Sequence, residues 1–223
     1  MTVNIRSFLH NKKKAIKALY GEIFPLYIDY LRKELYDWNT VLDLGCGGDS
    51  PIQYCNVSFS VGVELFESYL QKTKKKVIHN QCIKADIRKI EFKPKSFDIV
   101  VALDVLEHLT KEEGSELIKK MEKWARKKII VFTPNGFVWQ DDYDYNPFQV
   151  HKSGWDVQEF DKLGFKVFGI NGWKRLRGYS ALIKYRPTIL WNTISNLTQK
   201  ITCRNPKFAF QLLVVKEIDG SKK

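Results

Sequence analysis

The stretch "VLDLGCGGDS", residues 41–50, constrains the fold more than any other part of the sequence. It joins a short apolar run to a glycine-rich turn and a Ser-Pro pair. Gly45 and Gly47 can take φ values that a Cβ disfavours, and they leave the backbone open to a ligand. Ser50 and Pro51 are typical of a helix N-cap and first helical position. A glycine turn between a strand and a helix predicts the nucleotide-binding loop of an α/β domain.

After this stretch, β-rich runs alternate with helical segments. The runs that predict strands are "TVLDLG", "FSVGVEL", "KVIHNQCIKA", "SFDIVVAL", "KKIIVFTP", "FKVFGIN" and "FAFQLLVVKEI". The fourth is apolar almost throughout, as expected of a strand buried on both faces. The alternation predicts βαβ units in a mostly parallel sheet with helices on both faces.

The organisation of the chain predicts one main domain with a helical extension. Apolar residues recur at intervals of three and four before residue 39, which predicts an N-terminal helical cap over residues 1–38. Residues 39–223 form the predicted α/β domain. Two segments of it, 134–155 and 172–206, do not fit the simple alternation, and we expect them on the substrate side.

Composition limits the classes of protein to consider. A chain of 223 residues, 44% hydrophobic, suits one domain with a sizeable core. It has neither a membrane-length apolar run nor the features of a signal peptide, so we expect a cytoplasmic protein. The formal charge of +12 favours polyanions, but no nucleic-acid-binding motif accompanies it, and nucleic acid is disfavoured as a partner without being excluded. The four cysteines lack the spacing of a zinc site or a disulfide framework.

The residues around the glycines indicate what kind of ligand the loop takes. A dinucleotide site reads GxGxxG, and here the third position is Ser50. Asp43 would also place a negative charge close to a pyrophosphate. An acid before the glycines favours a ligand with cationic character instead.

These residues resemble a known family. "VLDLGCGGDS" is similar to the first motif, D/E-x-G-x-G, of class I S-adenosylmethionine-dependent methyltransferases, and the resemblance continues in order through "VGVELFES", "KADIRKI" and "FDIVVALDVLEHL". It covers roughly residues 40–133. It implies a single Rossmann-like domain with a seven-stranded, mostly parallel sheet, whose antiparallel last strand lies beside the fifth. It also implies S-adenosylmethionine as the cofactor.

The resemblance further implies which residues bind that cofactor. Glu64 corresponds to the acid that holds the ribose hydroxyls, Asp86 to the acid that meets the adenine amino group, and Ile87 to the residue against the adenine ring. Carboxylates suit these positions because they accept hydrogen bonds from hydroxyl and amino donors. The full set of expected cofactor-binding residues is Asp43, Gly45, Cys46, Gly47, Glu64, Leu65, Asp86, Ile87 and Asp104.

Methyl transfer from a sulfonium depends chiefly on positioning, and it needs a base only when the acceptor must lose a proton. His151, in the long loop after the fifth strand, and His108, in the "EHL" element, are the candidate catalytic residues. Each has an alternative interpretation, as a loop histidine or as a structural neighbour of the cofactor. The aspartates 141, 142 and 144 miss the calcium-loop spacing, and we expect no metal.

The acceptor is the least constrained feature. "FTPNG" resembles the segment after the fifth strand of ubiquinone-type and sugar or natural-product methyltransferases, which implies methyl transfer to a small or medium acceptor of small-molecule, glycan or lipid type, at oxygen. Two alternatives stay open: a non-catalytic binding module with this fold, and an NAD-dependent oxidoreductase. The sequence indicates neither the acceptor's identity nor the oligomeric state.

Overall fold

The computed structural model describes residues 27–142, 144–178 and 181–218, which form a seven-stranded sheet with helices on both faces. The strands are β1 Thr40–Leu44, β2 Phe59–Glu64, β3 Gln81–Lys84, β4 Phe97–Leu103, β5 Ala125–Pro134, β6 Lys166–Trp173 and β7 Ala209–Glu217. The α-helices are α1 Tyr27–Leu35, α2 Glu67–Lys75, α3 Lys111–Trp124, α4 Val157–Lys162 and α5 Thr188–Arg204. In this described part of the chain, no helix has the length and apolar character needed to cross a membrane.

The strand order is β3-β2-β1-β4-β5-β7-β6. The first five strands in this order pair in parallel, and β7 runs antiparallel between β5 and β6. This arrangement confirms the predicted fold class, including the antiparallel last strand beside the fifth. The order reverses between β1 and β4, so the crevice at their carboxyl ends is where an open α/β sheet binds its ligand.

The position of strand β4 in the sheet explains why its sequence is apolar nearly throughout. Val100 and Ala102 point into the core that helices α3 and α4 cover, while Ile99 and Val101 point into the core beneath α1. All four side chains are fully buried. A strand in the middle of a sheet covered on both faces needs apolar residues at every position.

The structure differs from the sequence expectations in three local features. The helix predicted after Ser50 is only a four-residue 3-10 turn, Pro51–Tyr54, although Ser50 caps it as expected by accepting from the Ile52 amide at 3.2 Å. The third strand is shorter than the run "KVIHNQCIKA" and covers only Gln81–Lys84. Of the predicted cap over residues 1–38, helix α1 lies within the described residues and residues 1–26 lie outside them.

The segment 172–206 contains helix α5, which packs directly on β6. A Cβ at Gly169 or at Gly172 would overlap the backbone of α5, so these glycines allow strand and helix to approach closely. The buried side chain of Gln199 bridges the gap: it accepts from the Gly172 amide at 2.8 Å and donates to the Gly169 carbonyl at 2.9 Å. Helix α5 is therefore part of the domain's own packing.

Gly62, in the middle of β2, gives a test of the packing beneath the glycine loop. A Cβ there would overlap the His79 ring and lie 2.9 Å from Cys46 Sγ. Because the His79 side chain is fully buried and cannot swing away, we expect Gly62→Ala to lower the free energy of unfolding by about 1 to 3 kcal/mol in urea denaturation.

Gly48→Ala is the matched control for this substitution. Its Cβ would meet only the flexible side chain of Lys72, at 3.1 Å. We expect a loss well below that of Gly62→Ala. Equal losses for the two variants would contradict the packing argument.

Candidate active site

A cavity opens at the carboxyl ends of the strands, where the strand order reverses. It encloses about 630 Å³ of space free of protein atoms, part of it open to solvent. Predicted cofactor-binding residues line it: Gly45, Glu64, Leu65, Asp86, Ile87 and Asp104. The sequence motifs, which come after four different strands, therefore converge on one crevice.

The glycine loop after β1 adopts the conformation that its sequence indicates. Gly45 and Gly47 have φ values of +66° and +60°, in the region that side chains disfavour. A Cβ on Gly45 would lie 2.8 Å from Val105 Cγ2, whereas a Cβ on Gly47 would meet no atom within 4 Å. Gly45 thus allows the loop to pack against Val105, and Gly47 leaves open space beside the backbone.

Glu64, at the end of β2, connects this loop to the next one. Its carboxylate accepts from the Gly47 amide at 2.9 Å and from the Phe66 amide at 2.7 Å. Burial raises the pKa of the Glu64 carboxyl group, and these backbone donors oppose the shift. A carboxylate has about four lone-pair sites, so Glu64 can still accept from a ligand hydroxyl in the cavity.

Asp86, after β3, is held by a neighbour that the sequence analysis does not identify. Arg88 donates to both carboxylate oxygens, with Nη2 at 2.7 Å from Oδ2 and Nε at 2.9 Å from Oδ1. The Arg88 guanidinium lowers the pKa of Asp86. Arg88 also reaches Glu113 of α3 at 2.9 Å. Asp86 is therefore kept ionised and fixed at the cavity wall, next to Ile87.

Three of the expected cofactor-binding residues do not line the cavity: Gly47, in the loop itself, and Asp43 and Cys46, which lie beneath the loop. Asp43 is 1% exposed and accepts from Ser50 Oγ at 2.5 Å, and the His79 Nε2 atom lies 3.4 Å from its carboxylate. Cys46 is 5% exposed, and its amide donates to the Val63 carbonyl at 3.0 Å. These contacts hold the loop from below, so any contribution of Asp43 and Cys46 to ligand binding acts through the loop.

Asp104 and Glu107 place two carboxyl groups side by side after β4. Asp104 has a φ of +54°, and its Oδ1 accepts from Gln211 Nε2 at 3.3 Å. Glu107 is 2% exposed, and its Oε2 accepts from Thr133 Oγ1 at 3.0 Å. Burial raises the pKa of the Glu107 carboxyl group, and the nearby charge of Asp104 raises it further. The two groups hydrogen-bond to each other, so they hold a proton more readily than separate carboxylates would.

The segment 134–155 closes over this region and is anchored by backbone hydrogen bonds. The Glu107 carbonyl accepts from the Lys152 amide at 2.7 Å and from the Ser153 amide at 3.1 Å. The Gly136 amide donates to the Trp155 carbonyl at 2.7 Å, and the Trp155 side chain is buried against Gly114 of α3. From this segment, Asn146, Phe148, Gln149 and Lys152 line the cofactor-side cavity.

A second cavity, of about 730 Å³, adjoins the first and contains both candidate catalytic histidines. It shares Asp104, His108 and Gln149 with the first cavity, and His151 lies on its wall. The His108 and His151 rings are 4.8 Å apart between centroids. Burial lowers the pKa of both rings, that of His108 to about 4. Both rings are therefore neutral at pH 7.

Several residues of these cavities have no sequence signal that identifies them. Arg88, Gln149, Lys152 and Gln211 are ordinary polar residues in the sequence, and only the fold brings them to the crevice. Glu107 does have a signal, since it belongs to the "EHL" element. Among the aromatic residues of the segment 134–155, Phe148 lines the first cavity and Tyr145 is 95% exposed.

The first cavity fits the adenosine portion of S-adenosylmethionine. The Glu64 carboxylate, which accepts from the Gly47 amide, lines the cavity and accepts hydrogen bonds. Ile87 and Leu65 supply apolar surface for a ring, and the ionised Asp86 supplies an acceptor for an amino group. We therefore assign Gly47, Glu64, Leu65, Asp86 and Ile87 to cofactor binding as a prediction.

Comparison with known proteins shows a likeness to the same family over part of the chain. Residues 42–132 match the family model described as "Methyltransferase domain". The uncharacterized protein MJ0638 of Methanocaldococcus jannaschii is 25% identical over 127 residues, which are 57% of this chain and 55% of that protein. The matched region thus spans about half the length of this curated relative.

Solved structures with the same fold include known methyltransferases. An S-adenosylmethionine-dependent methyltransferase of Archaeoglobus fulgidus is 18% identical, covers 90% of this chain and 99% of its own, and has a TM-score of 0.52. One from Mesorhizobium loti is 15% identical over 84% of this chain and 95% of its own, also with a TM-score of 0.52. These likenesses confirm the predicted fold class, a Rossmann-like domain of the methyltransferase type.

Glu64 provides the first test of the site. We expect Glu64→Gln to weaken the binding of S-adenosylhomocysteine by about 1 to 3 kcal/mol. A neutral amide oxygen accepts hydrogen bonds from hydroxyl groups less strongly than a carboxylate, and the amide NH₂ group cannot accept them at all. Isothermal titration calorimetry measures this change. Glu67→Gln, three residues on in α2 and half exposed, is the control and should bind as the unmodified protein does. Unchanged affinity in Glu64→Gln would remove that residue from the site.

Proposed function

We propose that this protein transfers a methyl group from S-adenosylmethionine to an oxygen atom of a small or medium acceptor. The observation that carries the proposal is the connection between the two cavities. The adenosine-sized crevice adjoins a second cavity and shares Asp104, His108 and Gln149 with it. An acceptor in the second cavity would face a methyl group that is presented from the first.

S-adenosylmethionine, when bound, supplies a methyl group on a sulfonium, whose sulfur keeps the bonding electron pair when an acceptor oxygen takes the methyl carbon. The chain's own residues must then hold the two reactants in line and exclude water. The segment 134–155 suits this role, because it covers the first cavity with Asn146 and Phe148 and the second with Gln140 and His151.

His108 and His151 support transfer to oxygen over transfer to a group that needs no deprotonation. An alcohol or phenol must lose its proton, and neutral imidazoles are the usual groups that assist. His151 Nδ1 lies 2.5 Å from the Val138 carbonyl, and His108 Nδ1 lies 3.3 Å from the Val150 carbonyl. Because a carbonyl only accepts, each Nδ1 carries the proton, and the Nε2 atom of each neutral ring is the one that can act as an acceptor.

A groove beside the second cavity favours a second candidate, an anionic acceptor such as the end of a single-stranded nucleic acid. The groove encloses about 950 Å³ and is lined by Lys174, Arg177 and Lys184 together with Phe137 and Trp139. Trp139 is 67% exposed and Phe137 59% exposed. Exposed aromatic rings next to basic side chains can stack bases and attract phosphates.

The proposed enzymatic activity is tested by binding and turnover together. We expect S-adenosylmethionine and S-adenosylhomocysteine to raise the melting temperature, and NADH to leave it unchanged. Transfer of a radiolabelled methyl group to hydroxylated acceptors from a small-molecule panel is the expected activity. Stabilisation by NADH alone would restore the oxidoreductase alternative, and binding of the nucleoside without turnover on any acceptor would favour the binding module.

Substitution of the groove lysines distinguishes the two classes of acceptor. If the acceptor is a single-stranded nucleic acid, Lys174→Ala combined with Lys184→Ala should weaken binding of a fluorescent RNA oligonucleotide in anisotropy titrations. It should also lower the slope of log K against log salt by about 1 per lysine. Lys93→Ala with Lys162→Ala removes the same charge at exposed positions outside the groove and is the control. Equal binding by the two double variants would leave the small-molecule acceptor.

A further inference from the structure

The second cavity contains a group of side chains that no sequence motif brings together. Glu107, His108 and His151 each offer one ligand atom, and these three atoms all lie within 4.8 Å of one another. Ligand atoms around one ion, with bonds of about 2.0 to 2.2 Å, stand about 3 to 4.3 Å apart. Small side-chain rotations are therefore enough to bring the three atoms onto a common centre.

Each of the three side chains is held by a hydrogen bond at one of its two possible ligand atoms. The two imidazoles donate from Nδ1 to the Val138 and Val150 carbonyls, so their Nε2 lone pairs remain available. Thr133 Oγ1 donates to Glu107 Oε2, which leaves Oε1 free of that bond. This pattern, in which a ring N–H is fixed by a carbonyl while the other nitrogen points at a ligand site, is the usual support of a metal-binding histidine.

The charge of the surroundings also favours a cation. Glu107 is 2% exposed, and the carboxyl group of Asp104 stands beside it. A buried carboxylate with a second carboxyl group beside it is costly unless the pair holds a proton or a positive charge compensates it. A divalent ion between Glu107 and the two histidines would supply that charge.

We propose that Glu107, His108 and His151 bind a divalent first-row transition-metal ion. Two imidazole nitrogens and one carboxylate oxygen suit Mn²⁺, Fe²⁺, Co²⁺ or Zn²⁺ better than Mg²⁺ or Ca²⁺, which prefer oxygen ligands throughout. The site is separate from the aspartates 141, 142 and 144, on which the expectation of no metal depends. It lies on the acceptor side, where both cavities meet.

This inference rests on the proposed function for its chemical role. An acceptor hydroxyl bound to the ion would be more acidic than in water. Its proton would pass to the Asp104 carboxylate, its oxygen would form the bond to the methyl carbon, and the sulfonium sulfur would keep the electron pair of the broken C–S bond. In this arrangement the two histidines assist the deprotonation through the ion that they bind, and the Asp104 carboxylate accepts the proton.

The test uses the full chain without a histidine tag, stripped of metal by a chelator. Addition of CoCl₂ should give visible d–d absorption bands that saturate at one equivalent, and calorimetry should show the same stoichiometry. Glu107→Gln keeps the shape of the side chain and its backbone contacts, and His151→Gln changes a partly exposed residue. Each should weaken Co²⁺ binding by about 10-fold or more, since loss of even a supporting partner commonly costs that much.

The control is the double variant Asp141→Asn and Asp142→Asn, which removes two exposed acids from the same segment and should bind Co²⁺ as the unmodified protein does. Binding of S-adenosylhomocysteine by every variant checks that each is folded. Absence of saturable Co²⁺ binding in the unmodified chain, or equal binding by the ligand variants and the control, would overturn the inference.

The same measurements separate this inference from the proposed function. If S-adenosylhomocysteine binds and Co²⁺ does not, the metal site fails while the methyltransferase proposal stands. If Co²⁺ binds at Glu107 and His151 but the nucleoside does not bind, the proposed function fails and the metal site stands. Methyl transfer that is lost with the chelator and restored by Mn²⁺ or Co²⁺ would support both.

Discussion

The geometry of the site depends on one buried carboxylate, Asp43, at the end of β1. Burying an acid until it is only 1% exposed costs free energy unless polar groups contact it. Here Ser50 Oγ and the buried His79 ring make these contacts. Ser50 comes from the far end of the glycine loop, and His79 comes from the connection before β3. These contacts fix the loop, so that the Gly47 amide reaches Glu64 at 2.9 Å. The shape of the crevice is thus set by an acid that does not line it.

The fold was predictable because its signals are local and repeated. Alternating β-rich and helical runs indicate the layers, and the two-sided burial of β4 explains its continuous apolar sequence. The short 3-10 turn at Pro51–Tyr54 was not predictable from its cap. A capping signal marks where a helical turn begins, whereas the length of the turn depends on the helix propensity of the residues beyond it. Here those residues, Cys55, Asn56, Val57 and Ser58, are weak helix formers.

The candidate site was predictable only where the motif residues reach the ligand directly. The sequence pattern identifies Glu64 and Asp86 because they lie at or just after strand ends that meet at one edge of the sheet. It does not identify the grouping of Glu107 with His151, since the contact that joins them is made by backbone groups. The Glu107 carbonyl accepts from the two amides directly after His151, and any residue type except proline could donate there. Backbone contacts of this kind leave no trace in a residue pattern.

Glu107 therefore has two structural roles. Its carbonyl anchors the segment 134–155, and its carboxyl group faces the acceptor side. Phe148, which covers the cofactor side, and His151, which faces the acceptor side, belong to that same anchored segment. An in-line transfer requires both reactants to be positioned against each other within a fraction of an ångström. The segment 134–155 forms part of the walls of both cavities. A shift of this segment that misplaces the acceptor therefore also opens the cofactor side, so the two cavities change shape together.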